Sequence, residues 1–177
     1  MTVGFVAAKE NSNRFKNKNK FILNGFPLFW HSVLPLMNAP SIKKVYVLTD
    51  SVYISNYCKK NDIDVIWRKK NATKDEEPLL NILKFAYLNL DNEYKFIATI
   101  MANCPGHSSE DVEKAIDLMK TGQFKEVRSF NDKNEESGLM VFQNSVITNY
   151  SQISSHIGLV NSNAKEIHVK EDLDEVY

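Results

Sequence analysis

Short β-rich apolar runs alternate along this chain with stretches whose apolar side chains recur at helical spacing, and this alternation restricts the fold more than any other feature. Residues 2–7 (TVGFVA) predict a buried strand, because the run is short, apolar and followed by polar residues. Pro27 opens a predicted helix over 27–37 (PLFWHSVLPLM), where a proline in the first turn removes an N–H that has no intrahelical partner anyway. Residues 44–48 (KVYVL) predict a second strand. It ends at Thr49-Asp50-Ser51, which can cap a helix over 52–60. A third strand falls at 63–67, then a helix over 76–90 with Leu79, Leu80, Leu83 and Tyr87 on one face, then a fourth strand at 94–100. Ser108 stands three residues before Asp111, close to a capping box, and the helix it opens runs to about residue 120 and stops at Thr121-Gly122. Weaker strands follow at 124–130 and 138–143. A short helix from Asn144, a last strand near 166–169 and a terminal turn (EDLDEVY) complete the pattern.

Strands that are apolar along both faces, separated by helices, imply a mostly parallel twisted sheet covered on both sides: an α/β fold of three layers, α/β/α and Rossmann-like. No repeat, linker or low-complexity stretch divides residues 1–177, so a single domain is expected. Twenty-two basic residues balance twenty-two acidic ones, which gives no case for a nucleic-acid or membrane partner. Nor is there an apolar run near the roughly 20 residues that span a bilayer, or the charged start of a signal peptide. Two distant cysteines, Cys58 and Cys104, suggest reduced thiols and a cytoplasmic location.

In open α/β sheets, ligands bind beyond the C-terminal ends of the strands, so the loops there carry the chemistry. The first of them, AAKENSNRFKNKNK, holds the only local charge run and few apolar side chains. Backbone N–H groups and cations of this kind suit a polyphosphate. The loop matches neither GxxxxGK[ST] nor GxGxxG, and a merely solvated basic loop is the competing reading. Elsewhere, Cys104 and His107 are spaced as a nucleophile and base, but no third orienting residue is evident and a cysteine packed under the loop is the simpler reading. His31 beside Trp30 reads as structural, and His156 and His168 share no metal-ligand spacing with a cysteine pair.

The run VAAKENSNRFKNKNKFILNGFPLFWHSV resembles the N-terminal signature of the CMP-sugar synthetases, the cytidylyltransferases that activate sialic, pseudaminic and legionaminic acids, roughly PARxGSKxxxxKNxxxxxGxPLxxxxI. Lys9 falls on the family arginine, Ser12 on its serine and Asn13 on its lysine. Lys18-Asn19 match its KN, and Gly25 with Pro27-Leu28 match GxPL. The resemblance continues through YVLTDS, through Arg68 and Asp75 on RPxxLAxD, through MANCPGHSSEDVEKAI and to EIHVKEDLDEVY, which sits where the family has DIDTxxDLxxAE. It implies a nucleotide-diphospho-sugar transferase type of fold. The implied reaction is attack of an acceptor oxygen on the α-phosphate of CTP with release of pyrophosphate, in surface-glycan biosynthesis. On this resemblance Lys9, Arg14 and Lys18 neutralise the triphosphate. Ala8, Asn11, Ser12 and Asn13 contribute loop contacts to phosphate oxygens, Asn19 contacts ribose or base, and Arg68, Asp75 and Asn103 face cytosine or acceptor. For Arg68 a surface pairing with Asp64 is the alternative.

The chain also departs from the family pattern. The aspartates of DID hold the family's divalent metal, and the alignment puts His168 and Lys170 in their place; Asp172 and Asp174 fall on the terminal turn. The family's QPTSPLR becomes MANCPGH, and only residues 131–136 stand where the family inserts a dimer-making lobe. Expected partners are therefore CTP and a small-molecule acceptor. Mg²⁺ would be held by substrate phosphates with Asp50 or Asp75, and a homodimer is left open. A non-catalytic nucleotide-binding homologue or a partner subunit is the alternative reading.

Overall fold

The computed structural model describes residues 1–12, 15–68, 77–149 and 156–175. Its elements in chain order are β1 (Thr2–Ala7), β2 (Ile22–Leu23), β3 (Phe26–Pro27), α1 (Trp30–Asn38), β4 (Ile42–Thr49), α2 (Val52–Lys60), β5 (Asp64–Trp67), α3 (Leu79–Leu88), β6 (Phe96–Ile100), α4 (Ser109–Lys120), β7 (Glu126–Phe130), β8 (Glu136–Gln143), α5 (Asn144–Thr148) and β9 (Ile157–Asn161). Seven strands form one sheet in the order β5-β4-β1-β6-β8-β7-β9. The β1–β4, β1–β6, β4–β5 and β7–β9 pairs are parallel, and β8 runs antiparallel to both its neighbours.

Alternation along the central strands sends side chains to two cores. Val6 and Ala8 join one cluster with Trp30, Val33 and Leu36 of α1, Ile54 and Cys58 of α2, and Val112, Ala115, Ile116 and Met119 of α4. Val3 and Phe5 join another with Ile82, Leu83 and Ala86 of α3 and Ile147 of α5. Both faces of β1 are therefore dry, which is why its sequence reads as a continuous apolar run. The three-layer, mostly parallel arrangement is the expected one.

Helix starts follow local chemistry. The Ser51 hydroxyl accepts the Ile54 N–H at the head of α2. Ser108 and Asp111 exchange both bonds of a capping box at α4. Two expectations need correction. Pro27 does not open α1: it lies in β3, which pairs with β2 across Asn24 and Gly25, both at positive φ (48° and 86°). Asn-Gly is the favoured centre of a two-residue hairpin turn, so α1 starts only at Trp30. The last strand is also not at 166–169. It is β9, parallel to β7, with Gly158 packed under Leu118 and Phe124. In the 166–169 stretch the Ile167 N–H goes to the Asn103 carbonyl and the His168 and Val169 N–H groups go to the Asp172 carboxylate, so no neighbouring strand receives them.

Candidate functional site

The chain leaves β1 toward β4 on one side of the sheet and returns to β6 on the other, so the order reverses between β1 and β6. Ligands bind at such switch points, beyond the carboxyl ends of the strands. Three segments meet there: the loop after β1, the loop after β6, and the stretch after β9.

The loop after β1 is tied down along its length. The Ala8 N–H donates to the Leu48 carbonyl at 2.9 Å, which extends the sheet and buries Ala8 completely. The Lys9 carbonyl accepts from Asn19 Nδ2 at 2.9 Å, and the Glu10 N–H donates to Asp50 Oδ1 at 2.7 Å. The Glu10 carboxylate pairs with Lys20. Lys9 is half-buried, Asn11 exposed and Ser12 half-buried. Lys18 opens a single 3₁₀ turn over Lys18–Lys20, and its Nζ donates to the Ile167 carbonyl at 2.8 Å.

The loop after β6 and the stretch after β9 are laced together. Asn103 is buried, and its Nδ2 donates to Glu166 Oε1 at 3.1 Å and to the Ile167 carbonyl at 2.9 Å, while the Ile167 N–H returns a bond to the Asn103 carbonyl at 2.8 Å. Two residues on, the Lys165 N–H reaches the Pro105 carbonyl. Further along, the ring of His107 closes the seam: its Nε2–H donates to the Ser137 carbonyl at 2.7 Å and its Nδ1 faces the Ser162 hydroxyl at 2.9 Å. Both ring nitrogens are thus occupied away from Cys104, which is fully buried with its thiol pushed well up by desolvation. A nucleophilic cysteine needs a lowered pKa and access, so the packing role expected for Cys104 is the one its surroundings support. Glu166 also meets His168, Nε2 to Oε2 at 3.2 Å.

Of the residues singled out from sequence, Ala8, Lys9, Lys18, Asn19 and Asn103 lie within this bonded cluster, and Asn11 and Ser12 continue the loop. Asn19 is buried, and its amide is turned to the Lys9 carbonyl. Arg68 follows β5; its N–H bonds the Thr49 carbonyl and its guanidinium lies 3.6 Å from Glu77. Asp64 instead pairs with Lys44, so the surface pairing weighed for Arg68 does not form. Asn13, Arg14 and Asp75 lie outside the described residues. Lys170 is exposed at the start of the last 3₁₀ turn, away from these bonds.

Three contributors escaped sequence reasoning: Asp50 as an acceptor for the loop, the Ile167 carbonyl as the point where Lys18 and Asn103 meet, and the Glu166 carboxylate. Only Glu166 had a visible signal: EIHVKEDLDEVY laid over DIDTxxDLxxAE puts Glu166 and His168 at the two acidic positions, which corrects the placing of His168 and Lys170 there by two residues. The described residues contain no cluster of three or more His, Cys, Asp or Glu side chains suited to a metal, and no helix among them is long and apolar enough to cross a membrane.

A family model described as cytidylyltransferase matches residues 3–171. An N-acylneuraminate cytidylyltransferase from Streptococcus agalactiae is 22% identical over 136 residues, 76% of this chain and 33% of that protein. A CMP-N,N'-diacetyllegionaminic acid synthase from Legionella pneumophila is 22% identical over 119 residues, 65% of this chain and 51% of that one. The chain thus spans between a third and a half of these relatives. Among solved structures, a CMP:2-keto-3-deoxy-manno-octonic acid synthetase complexed with CTP superposes with a TM-score of 0.83 at 13% identity, covering 99% of this chain and 96% of that one, a likeness of fold.

Proposed function

Since this chain belongs to the cytidylyltransferase family, we propose that it transfers the cytidylyl group of CTP to a small acceptor and releases pyrophosphate. An acceptor hydroxyl oxygen attacks the α-phosphorus and gives up its proton to solvent, the bond to the bridging oxygen breaks, and pyrophosphate leaves with the electron pair. Such transfers depend mostly on positioning and on neutralising charge spread over phosphate oxygens. Lys9, Arg14 and Lys18 supply the positive charge, with Asn11, Ser12 and Asn13 along the same loop. Arg68, Asp75 and Asn103 border the cytosine or the acceptor.

The observation that carries this reading is the meeting of Lys18 and Asn103 on the Ile167 carbonyl, with Glu166 beside it, at the switch point of the sheet. A cation from the first loop, an amide and a carboxylate are brought to one spot where a polyphosphate and a hydroxyl-bearing acceptor can meet.

Mg²⁺ keeps few protein ligands at phosphate sites, often one or two carboxylates, the remainder being phosphates and water. Glu166 is the carboxylate placed for that limited requirement, and it would have to share oxygens that already meet Asn103 and His168. Asp50 already gives one oxygen to the loop. The metal, held mainly by the nucleotide, would supply charge neutralisation at the phosphates.

Sugar acids are the acceptor class favoured, because two relatives matched in sequence are named for them, and a CMP-activated sugar for surface glycans is the corresponding product. A soluble cytoplasmic location suits a CTP-consuming step. The test is pyrophosphate release from CTP and Mg²⁺ over a panel of sugar acids and phosphorylated small molecules. Release with one acceptor class is expected. Tight CTP binding without release from any acceptor replaces the enzyme with a nucleotide-binding protein, and absence of CTP binding removes both.

A further inference from the structure

One peptide unit in the loop after β1 is held at both of its polar ends by side chains. The carbonyl of Lys9 accepts from Asn19 Nδ2 at 2.9 Å, and the N–H of the next residue, Glu10, donates to Asp50 Oδ1 at 2.7 Å. We propose that Asp50 and Asn19 form a peptide clamp that sets the orientation of the loop for the nucleotide, making both of them positioning residues rather than ligand contacts. The proposal rests on the reading of this loop as the cradle of CTP.

Each jaw is itself fixed. Asn19 is buried at 6% exposure, and its carbonyl receives the Phe29 N–H that precedes α1. Asp50 sits between Thr49, the last residue of β4, and Ser51, whose own N–H is held by the Thr49 hydroxyl and whose side chain caps α2. The jaws therefore belong to the first turn after the loop and to the end of the neighbouring strand, while the peptide between them belongs to neither.

The electrostatic consequence is specific. A peptide at the edge of an anion site can present either its N–H or its carbonyl, and a carbonyl oxygen aimed at phosphate repels it. Binding the Lys9 carbonyl to an amide donor removes that option. The Glu10 N–H, tied to a carboxylate, is likewise withheld from the ligand, so phosphate recognition is left to the rest of the loop and its cations. A carboxylate beside a polyphosphate site would otherwise oppose binding; here its oxygen is committed to a main-chain donor, and a hydrogen bond to a charged acceptor is stronger than one between neutral groups. The side chain of Glu10 is fastened in turn by Lys20.

CTP affinity measured by calorimetry, with and without Mg²⁺, alongside thermal melting, tests the clamp on the full chain. D50A and N19A are each expected to weaken CTP binding about tenfold, the order of one lost hydrogen bond to a charged or buried group. D50N keeps an oxygen that accepts the Glu10 N–H and should stay within about threefold of the wild type, whereas D50E keeps the charge but moves the acceptor by one methylene and should be as weak as D50A. The D50A/N19A pair should be no weaker than the poorer single variant, because both hold one peptide. D50E also serves if D50A does not fold. A D50N variant as weak as D50A, or a loss seen only with Mg²⁺, would overturn the clamp in favour of charge or metal binding by Asp50. Unchanged affinity in D50A and N19A, or losses that multiply in the double variant, would overturn it too. All of these outcomes presuppose CTP binding by the wild type; its absence would overturn the cradle and the clamp together.

Discussion

Lys18 Nζ donates to the carbonyl oxygen of Ile167 at 2.8 Å, joining the loop after β1 to the stretch after β9 across 149 positions of sequence. The same carbonyl receives Asn103 Nδ2 at 2.9 Å. A single main-chain oxygen thus gathers the first loop, the loop after β6 and the segment bearing Glu166. Its two lone pairs suffice for both donors.

Lys18 is expected to move part of its hydrogen bonding to phosphate when CTP arrives. A charge-assisted contact of this kind is worth about 1.5–3 kcal/mol, so Lys18→Ala should weaken CTP binding roughly 10- to 100-fold. Lys18→Arg, which keeps the charge, should lose less. Calorimetric titration checks both, and an unaltered affinity in Lys18→Ala would argue against the cradle.

His107 makes folding stability depend on pH. Burial, at 7% exposure, lowers its pKa, and the Ser137 carbonyl and Asp111 only partly oppose this. The folded value lies below the unfolded one, so as pH falls the unfolded chain takes the proton first. The contribution is therefore complete above the unfolded pKa of about 6.5 and is lost as pH falls from there through the lowered folded value. His107→Gln should be less stable than the wild type at pH 7.5, and the gap should narrow toward pH 5. Denaturant unfolding at several pH values measures it; a constant gap contradicts the assignment.

The capping box at α4 gives a smaller effect. Ser108 Oγ accepts the Asp111 N–H at 3.1 Å and Asp111 returns the bond to the Ser108 N–H at 3.0 Å. Ser108→Ala should cost about 1 kcal/mol, seen as a melting point about 2–4 °C lower, while CTP affinity stays the same.

The core of the fold was legible in the sequence because strands dry on both faces and helices with side-chain caps leave local marks. TVGFVA, Ser51 and Ser108 each carry one. Pro27 misled because its helical and turn meanings are alike until Asn24-Gly25 is weighed as a hairpin centre. β9 was overlooked because HIGLVN shows Ile157 and Leu159 outward, 40% and 63% exposed, with a glycine between them. The first loop announced itself through its charges. Its partners did not: Asp50 acts on an amide 40 positions away, and Ile167 acts through a carbonyl that every residue possesses. Contacts of that kind have no signature in residue type.

Gly138 offers a test that separates backbone strain from packing. It holds φ at +88°, and a Cβ there would lie 2.3 Å from Cys104 Sγ and 3.2 Å from Met101 Cβ. Its carbonyl also receives the Met101 N–H at 2.9 Å, so β8 is fitted closely against the loop that carries Asn103. Gly138→Ala should then suffer twice: about 1–3 kcal/mol for a side chain at positive φ and a further 1–3 kcal/mol or so for overpacking. Cys104→Ala removes the sulfur from the clash but leaves φ unchanged. Added to Gly138→Ala it should restore the larger part of the packing share, the Cβ atoms of residues 104 and 101 remaining 3.0 and 3.2 Å away, so that the double variant is more stable than Gly138→Ala and less stable than Cys104→Ala. Because the displaced loop also sets Asn103 against Ile167, CTP affinity should fall in Gly138→Ala and recover in part with the second change. Urea unfolding and CTP titration of the three variants measure both effects. A double variant no more stable than Gly138→Ala would mean that the backbone conformation and the remaining Cβ contacts, and not the sulfur, require glycine at this position.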